Sequence, residues 1–194
     1  GNASDGTQGT EADIDQPRSM AVTSNGGYVW GQPYSHRVRA IDPDGRIRTV
    51  AGTGVAGFSG DGGPATAAQL NFVHGGAQLT DGSIIVADTL NNRIRRIAAN
   101  GTITTDAGNG VQGSAGDNGP ATQASINNPR GTEAMPDGGF LIPDSNSHRV
   151  RRVWPDGTIT TVAGTGIQGF SGDSGPATSA QLSIPFNATP TADG

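Results

Sequence analysis

The hydrophobic residues of this chain occur in short runs that are separated by tight turns. In the clearest stretch the turns are an Asp-Gly dipeptide at 81–82 and an Asn-Gly dipeptide at 100–101, which supply the positive φ that hairpins need. The strands predicted around them are residues 71–79, 83–88, 93–97 and 102–107. This part of the chain is therefore predicted to form a four-stranded antiparallel meander.

The second of these strands is apolar on both of its faces. Side chains alternate across a strand, so Ile84 and Val86 point to one face while Ile85 and Ala87 point to the other. A sheet with two apolar faces needs a neighbour on each side. The pattern therefore predicts sheets that are packed between other sheets.

The same unit recurs along the chain. The heptapeptide Gly-Asp-x-Gly-Pro-Ala-Thr begins at Gly60, Gly116 and Gly172, so its copies lie 56 residues apart. The period predicts repeats at 4–59, 60–115 and 116–171 and a remnant at 172–194. Tandem four-stranded units are typical of β-propellers. We predict one partial, all-β propeller domain with three full blades, a one-strand remnant, and short helical turns in the links, as at residues 119–124.

Composition narrows the function classes. The chain has a net charge of −5, which disfavours nucleic acid and anionic membranes as partners. No run of about 20 apolar residues is present, so no membrane span is predicted. There is no cysteine, which excludes both disulfides and thiolate metal sites. The 32 glycines and the low apolar content of 32% suit many short strands joined by turns.

Part of each repeat resembles the signature of the NHL-repeat family. The resemblance is carried by residues 88–95, 144–151 and 35–39, and by the linker heptapeptide, which is similar to that of bacterial NHL proteins with long inter-blade loops. Propellers of this family usually close with about six blades. The resemblance therefore implies that this chain is a fragment of a longer propeller, or that several copies complete one another. The first repeat departs from the signature, because Gln32 and Pro33 replace the Asp-Thr pair of the second repeat.

Two arginines recur on the third strand of every repeat. Residues two apart on a strand share a face, so an arginine ladder that binds a polyanion is one interpretation. The ladder would consist of Arg39, Arg95 and Arg151. The alternative, which we favour, is structural: Arg93 pairs with Asp88 in its own blade, and Arg149 pairs with Asp144.

The long links and the connections between second and third strands are expected at one end of the propeller. Loops on a rigid scaffold are where recognition tends to evolve, so any binding surface is predicted at this long-loop end. Phe58 and Phe170 lie in two of the links and are interpreted as plugs between blades, or less readily as platforms for a carbohydrate. The scattered histidines do not form a metal motif, so no metal, cofactor or catalytic residue is predicted.

These observations favour a non-catalytic scaffold that binds protein or polysaccharide through its long-loop end. The resemblance implies an extracellular or cell-surface location in a bacterium. Two alternatives remain open. One is a self-assembling subunit of an extracellular fibre or sheath, associating through the unpaired strand expected at 182–194. The other is a propeller lyase or hydrolase with a metal in its central channel.

Overall fold

The computed structural model describes residues 3–191 and is all-β, as predicted. Three antiparallel sheets follow one another along the chain, and we call them blades 1, 2 and 3. Blade 1 contains β1 (Arg18–Val22), β2 (Tyr28–Gln32), β3 (Arg37–Ile41) and β4 (Ile47–Ala51). Blade 2 contains β5 (Val73–Gln78), β6 (Ile84–Asp88), β7 (Arg93–Ile97) and β8 (Ile103–Ala107). Blade 3 contains β9 (Gly119–Pro120), β10 (Glu133–Ala134), β11 (Phe140–Asp144), β12 (Arg149–Val153) and β13 (Thr158–Ala163).

The two faces of blade 2 are buried against different neighbours, as the alternation predicts. Ile84 and Val86 belong to a core that includes Val29 and Val38 of blade 1. Ile85 belongs to a second core that includes Phe140 and Ile142 of blade 3. Each blade therefore buries its apolar side chains only by packing on the next one.

The first strands of the blades lie side by side. β1 contacts β5, and β5 contacts β10. The approach is close, because a Cβ atom on Gly75 would overlap the carbonyl oxygen of Ser19. These strands therefore form the inner side of the blade array.

The links contain one-turn helices at the expected places. They are 3₁₀ helices at Ala65–Ala67, Ala121–Gln123 and Ala177–Ser179. The connections between second and third strands in blades 2 and 3 add Thr89–Asn91 and Ser145–Ser147. Three residues are too few for the hydrogen-bond ladder of an α-helix, so the tighter turn is used.

Each link covers the outer strand of the blade that follows it. In blade 2 the backbone N–H of Gly62 donates to the Ile103 carbonyl (2.8 Å), and the N–H of Ile103 donates to the Gly63 carbonyl (3.0 Å). In blade 3 the same link position is regular enough to form β9, which pairs with β13. The link thereby satisfies a strand edge that would otherwise be open.

The strand predicted in the remnant is not observed. Residues 183–191 form no strand, and residues 192–194 lie outside the described part of the chain. Leu182 and Ala188 instead pack against Met135, Leu141 and Val150 on the far side of blade 3. A lone strand without hydrogen-bonded neighbours is not stable, so this segment serves as an irregular cover.

Candidate functional site at the long-loop end

The long links and the connections between second and third strands meet at one end of the blades, as predicted. The Asn91 side-chain amide donates to the Gly57 carbonyl (2.7 Å), and the Ser147 hydroxyl donates to the Gly113 carbonyl (3.2 Å). Each bond joins a link to a connection in the next blade. This end of the molecule is therefore a continuous surface of loops.

The predicted arginine ladder is not at the surface. Arg39, Arg95 and Arg151 are at most 2% exposed. Arg95 and Arg151 are buried because their strand face packs against the preceding blade and is covered at its edge by the preceding link. Arg39 is covered instead by the N-terminal segment, through Ala3 and Asp5. The interpretation of these three side chains as an exposed ladder that binds a polyanion is therefore wrong.

The buried guanidinium groups are held by carboxylates from two directions. Arg95 donates to Asp88 of its own blade (3.2 Å) and to Asp61 of the preceding link (2.6 Å). Arg151 repeats this arrangement with Asp117 (2.6 Å), while its Nη1 lies 3.9 Å from an oxygen of Asp144. Asp88 and Asp144 are therefore the inner carboxylates of these two buried ion pairs.

The arginine partner in those pairs was predicted incorrectly. Arg93 lies directly opposite Asp88 in the ladder, at the end of the strand, and its guanidinium extends outward to the carbonyls of Asn91 and Asn109 (both 3.0 Å). Arg149 likewise donates to the Thr165 carbonyl (3.0 Å). Strand-end arginines therefore bind loop carbonyls, and the arginines two residues further in bind the carboxylates.

Burial perturbs the ionisation of the two inner carboxylates. It raises the pKa of Asp88 to about 6, against hydrogen bonds from Asn91, Asn71 and Arg95 that lower it. It also raises the pKa of Asp144 to about 6. Desolvation outweighs the neighbouring positive charge at both positions.

Blade 1 lacks the inner carboxylate because Gln32 replaces it. Gln32 is buried and donates to the Asp15 carbonyl (3.2 Å). Among residues 3–191, Arg39 therefore has one carboxylate partner, Asp5 (3.1 Å), and also binds the Ala3 carbonyl (2.8 Å). The departure from the repeat signature thus removes the inner ion pair from this blade.

The two link phenylalanines differ in their surroundings. The Phe58 ring lies beneath Arg93, with the guanidinium carbon 3.8 Å from the ring centroid, and it is 41% exposed. Phe170 is 87% exposed. Phe58 therefore packs between its link and the third strand of blade 2, whereas Phe170 makes no equivalent ring contact in the described part of the chain.

A separate positive cluster lies where the inner strands begin. It consists of Arg18, His74 and Arg130, which are equivalent residues of the three repeats. Within residues 3–191 neither arginine contacts a carboxylate, and Arg130 has a buried Nε atom without a hydrogen-bond partner. We call these three residues the arginine–histidine cluster.

The contacts of His74 determine both its tautomer and its protonation state. The Thr89 hydroxyl donates its hydrogen to the Pro129 carbonyl (2.7 Å), so it accepts from Nδ1–H of His74 (2.9 Å). Burial, together with the charges of Arg130 and Arg18, lowers the pKa of His74 to about 4. The imidazole is therefore neutral at pH 7, with Nε2 as its unprotonated nitrogen.

Aromatic rings connect this cluster to the outer surface. Tyr34, which is 56% exposed, meets the Phe72 ring edge-on at 5.2 Å between centroids. Phe72 in turn meets the His74 ring at 5.3 Å. On the other side, the guanidinium carbon of Arg130 lies 4.2 Å from the centroid of Phe186. The long-loop end thus combines uncompensated positive charge with exposed aromatic rings.

Sequence reasoning did not select this cluster as a binding site. The signal was the shared repeat position of Arg18, His74 and Arg130, because equivalent residues on neighbouring inner strands must come close together. The missing information was that the first strands contact one another.

No family model matches this chain. A curated relative is the protein SUPPRESSOR OF QUENCHING 1, chloroplastic, of Arabidopsis thaliana, which is 36% identical over 93 residues. That match covers 47% of this chain and 9% of the relative. The chain therefore spans only a small part of that protein.

Solved structures share the fold at low sequence identity. A protein of unknown function from Bacteroides thetaiotaomicron has a TM-score of 0.67 at 18% identity, over 90% of this chain and 42% of that one. An auxiliary nutrient binding protein from the same species has a TM-score of 0.63 at 16% identity, over 90% and 42%. A gluconolactonase from Xanthomonas campestris has a TM-score of 0.57 at 19% identity, over 78% and 48%.

These comparisons show a propeller fold and no more than that. The chain spans about two fifths to one half of the solved proteins it resembles, and these include both binding proteins and enzymes. Across residues 3–191 no helix is long and apolar enough to cross a membrane. The same residues contain no group of three histidine, aspartate or glutamate side chains placed to hold a metal ion.

Proposed function

We propose that this chain belongs to a non-catalytic propeller of the NHL-repeat type that binds an acidic polysaccharide at its long-loop end. The arginine–histidine cluster is the observation that carries the proposal. Arg18 and Arg130 bring two positive charges together in a chain whose net charge is −5. A local positive site on an acidic surface selects for a ligand that offers carboxylates at defined positions.

The aromatic rings beside the charges favour a sugar over a peptide as the ligand. Tyr34 and Phe72 offer an exposed ring and a half-buried ring next to His74. Flat apolar rings pack against the faces of sugar rings, while guanidinium groups bind uronate carboxylates in a bidentate fashion. Auxiliary nutrient binding proteins among the similar structures agree with a binding role. A polysaccharide ligand also fits a location at the bacterial surface or outside the cell.

The proposal is tested by calorimetric titration with a galacturonic acid hexamer, with an uncharged hexasaccharide as the comparison. We expect binding of the acidic hexamer only, weakening as salt is raised. The double substitution Arg18→Ala/Arg130→Ala should weaken it at least about tenfold, which corresponds to roughly 1.4 kcal/mol. Arg48→Ala is the matched control, because Arg48 is a surface arginine paired with Asp42 on the outer strand.

Two results would overturn the proposal. One is equal affinity for the acidic and the uncharged hexamer. The other is unchanged binding in the double variant, which would remove the cluster from the site. Binding of an acidic peptide in preference to the acidic hexamer would replace the polysaccharide with a protein ligand.

A further inference from the structure

The residue before the third strand of each blade binds the backbone 36 residues further along the chain. In blade 1, Nδ1 of His36 accepts the N–H of Phe72 (3.1 Å), directly before β5. In blade 2 the side-chain oxygen of Asn92 accepts the N–H of Asn128 (3.0 Å), and in blade 3 Nδ1 of His148 makes the same bond (3.2 Å). We call these three hydrogen bonds the interblade latches.

The latches differ in how they respond to protons. A backbone N–H can only donate, so Nδ1 of His36 and of His148 must be unprotonated when the bond is made. A protonated imidazole carries a hydrogen on both nitrogens and has no acceptor left, whereas the amide oxygen of Asn92 accepts at any pH. The same repeat position is therefore sensitive to pH where it holds histidine and insensitive where it holds asparagine.

The His36 latch fixes a residue with an unusual backbone conformation. Phe72 adopts φ +57°, in the left-handed region that bulky residues rarely enter. Such a conformation persists only where the surrounding contacts hold it. Asn128 has φ +53° at the equivalent position, but asparagine enters this region more readily. Loss of its latch therefore releases Phe72 more readily than it would release Asn128.

The side chain of Phe72 connects this latch with the candidate site. Its ring lies between the exposed Tyr34 ring, at 5.2 Å, and the His74 ring, at 5.3 Å between centroids. Tyr34 and His36 belong to the same connection of blade 1. The latch therefore fixes the aromatic rings of blades 1 and 2 relative to each other.

Several charged or titratable side chains surround the His36 latch. They include Arg37 and Tyr34 of blade 1, Asp15 of the segment before it, and Asp88 and His74 of blade 2. Burial lowers the pKa of His36 from 6.5, so the neutral imidazole and the closed latch prevail at pH 7. The charge change falls below pH 6.5, and His74 stays neutral until the pH approaches 4.

We infer that His36 is a pH-dependent latch: protonation of its imidazole releases Phe72, separates the aromatic rings and weakens binding at the long-loop end. The effect on binding rests on the proposed function, whereas the release of Phe72 does not. The site thus holds its ligand near neutral pH and releases it in acid.

The release of Phe72 is tested by NMR titration of the chain without ligand, from pH 8 to 4.5. We expect the Phe72 amide resonance to change with the same midpoint as the His36 imidazole. The protection of this amide against hydrogen exchange should fall at least about tenfold when the latch opens.

The Asn128 amide is the internal control, because an asparagine forms its latch. The N–H of the residue before Asn128 binds Asp144 (2.8 Å), just as that of the residue before Phe72 binds Asp88 (2.7 Å). Both aspartates have a pKa of about 6, so their titration affects the two amides alike. The additional change at Phe72 therefore measures the latch.

His36→Asn is the matched variant, since it gives blade 1 the latch residue of blade 2. The Phe72 amide should then respond to pH as Asn128 does. In calorimetric titrations with the galacturonic acid hexamer, the affinity of the wild type should fall at least about fivefold between pH 7.5 and 5, and that of the variant less than about twofold. The two proteins should bind equally at pH 7.5.

Three results would overturn the inference. The first is a Phe72 amide that does not follow the His36 imidazole, and the second is an unchanged pH response in His36→Asn. The third is hexamer binding with the same affinity at pH 7.5 and 5. A Phe72 amide that titrates with His36 in a protein that binds no hexamer at either pH supports the latch and overturns the proposed ligand instead.

Discussion

At the scale of single residues, the third strand of each blade contains a buried arginine that forms an ion pair with an aspartate of the segment before that blade. Arg151 is fully buried, and its partners are Asp117, contributed by the preceding link, and Asp144, contributed by its own blade. Such a cluster stabilises only while it is complete, since each desolvated charge depends on the others. The cluster therefore specifies how link and blade fit together.

The substitution Arg151→Ala should lower the free energy of unfolding by about 3 to 5 kcal/mol, because it removes the guanidinium beside the buried Asp144, which keeps its hydrogen bond from the Asn127 N–H, and breaks the pair with Asp117. Urea denaturation measures the change. Arg48→Ala removes a surface arginine that pairs with Asp42 and should cost less than about 1 kcal/mol. Equal losses of unfolding free energy in the two variants would mean that the buried ion pairs stabilise the protein no more than a surface ion pair does.

At the scale of elements, the sharp turn after each outer strand brings the chain against the start of the third strand. Gly108 adopts φ +88°, and a Cβ atom there would overlap the Asn92 carbonyl oxygen. Gly52 and Gly164 meet His36 and His148 in the same way. The recurring glycine is readable in the sequence, but the carbonyl that it approaches is visible only in the folded blade.

Gly108→Ala should therefore destabilise the protein by at least about 2 kcal/mol more than Gly82→Ala. Both glycines have positive φ, and open space surrounds Gly82, so the comparison isolates the steric overlap from backbone strain. Thermal unfolding of the two variants is the measurement. Similar melting temperatures would show that the chain at Gly108 moves away from the Asn92 carbonyl without a loss of stability.

At the scale of the whole molecule, three blades combine to keep His74 neutral. Arg18 belongs to blade 1 and Arg130 leads into blade 3, so both neighbouring charges come from other repeats. The Thr89 hydroxyl, which binds the imidazole, also holds the Pro129 carbonyl before blade 3. The protonation of one histidine therefore reports on the packing of the whole array.

His74 should make stability depend on pH. The unfolded histidine binds a proton near pH 6.5, but the folded one does so only near pH 4, so its contribution is present above pH 6.5 and is lost as the pH falls towards 4. The loss at pH 4.5 is roughly 2 to 3 kcal/mol. Burial of Asp88 and Asp144 acts in the opposite direction, because carboxyl groups with a raised pKa contribute stability below about pH 6.

Urea unfolding of the wild type and of His74→Gln at pH 7 and 4.5 separates these effects. The two aspartates are common to both proteins, so only the histidine contributes to the difference. We expect the variant to lose less stability than the wild type over this interval. If both proteins lose the same stability between pH 7 and 4.5, the inference that the folded protein keeps His74 neutral is contradicted.

The division into repeats at residues 60, 116 and 172 stays a prediction, although the strands within them lie where alternation and turns placed them. Local rules suffice for strands because side-chain alternation and Asp-Gly turns act over a few residues. The candidate site was not predictable in this way, since Arg18, His74 and Arg130 are separated by whole repeats.

The amino-acid sequence by itself determined the strands, the turns and the number of sheets, because each depends on neighbouring residues and recurs with the 56-residue motif. Only the tertiary structure decided which arginines are buried, which aspartate each one binds, and which cations remain uncompensated. Asp61 and Arg95 meet across a link and a blade, and hydrophobic periodicity gives no indication of which strand position reaches the carboxylate. The pattern of apolar residues within each repeat determines the strands, and the packing of one repeat on the next determines which charged side chains pair.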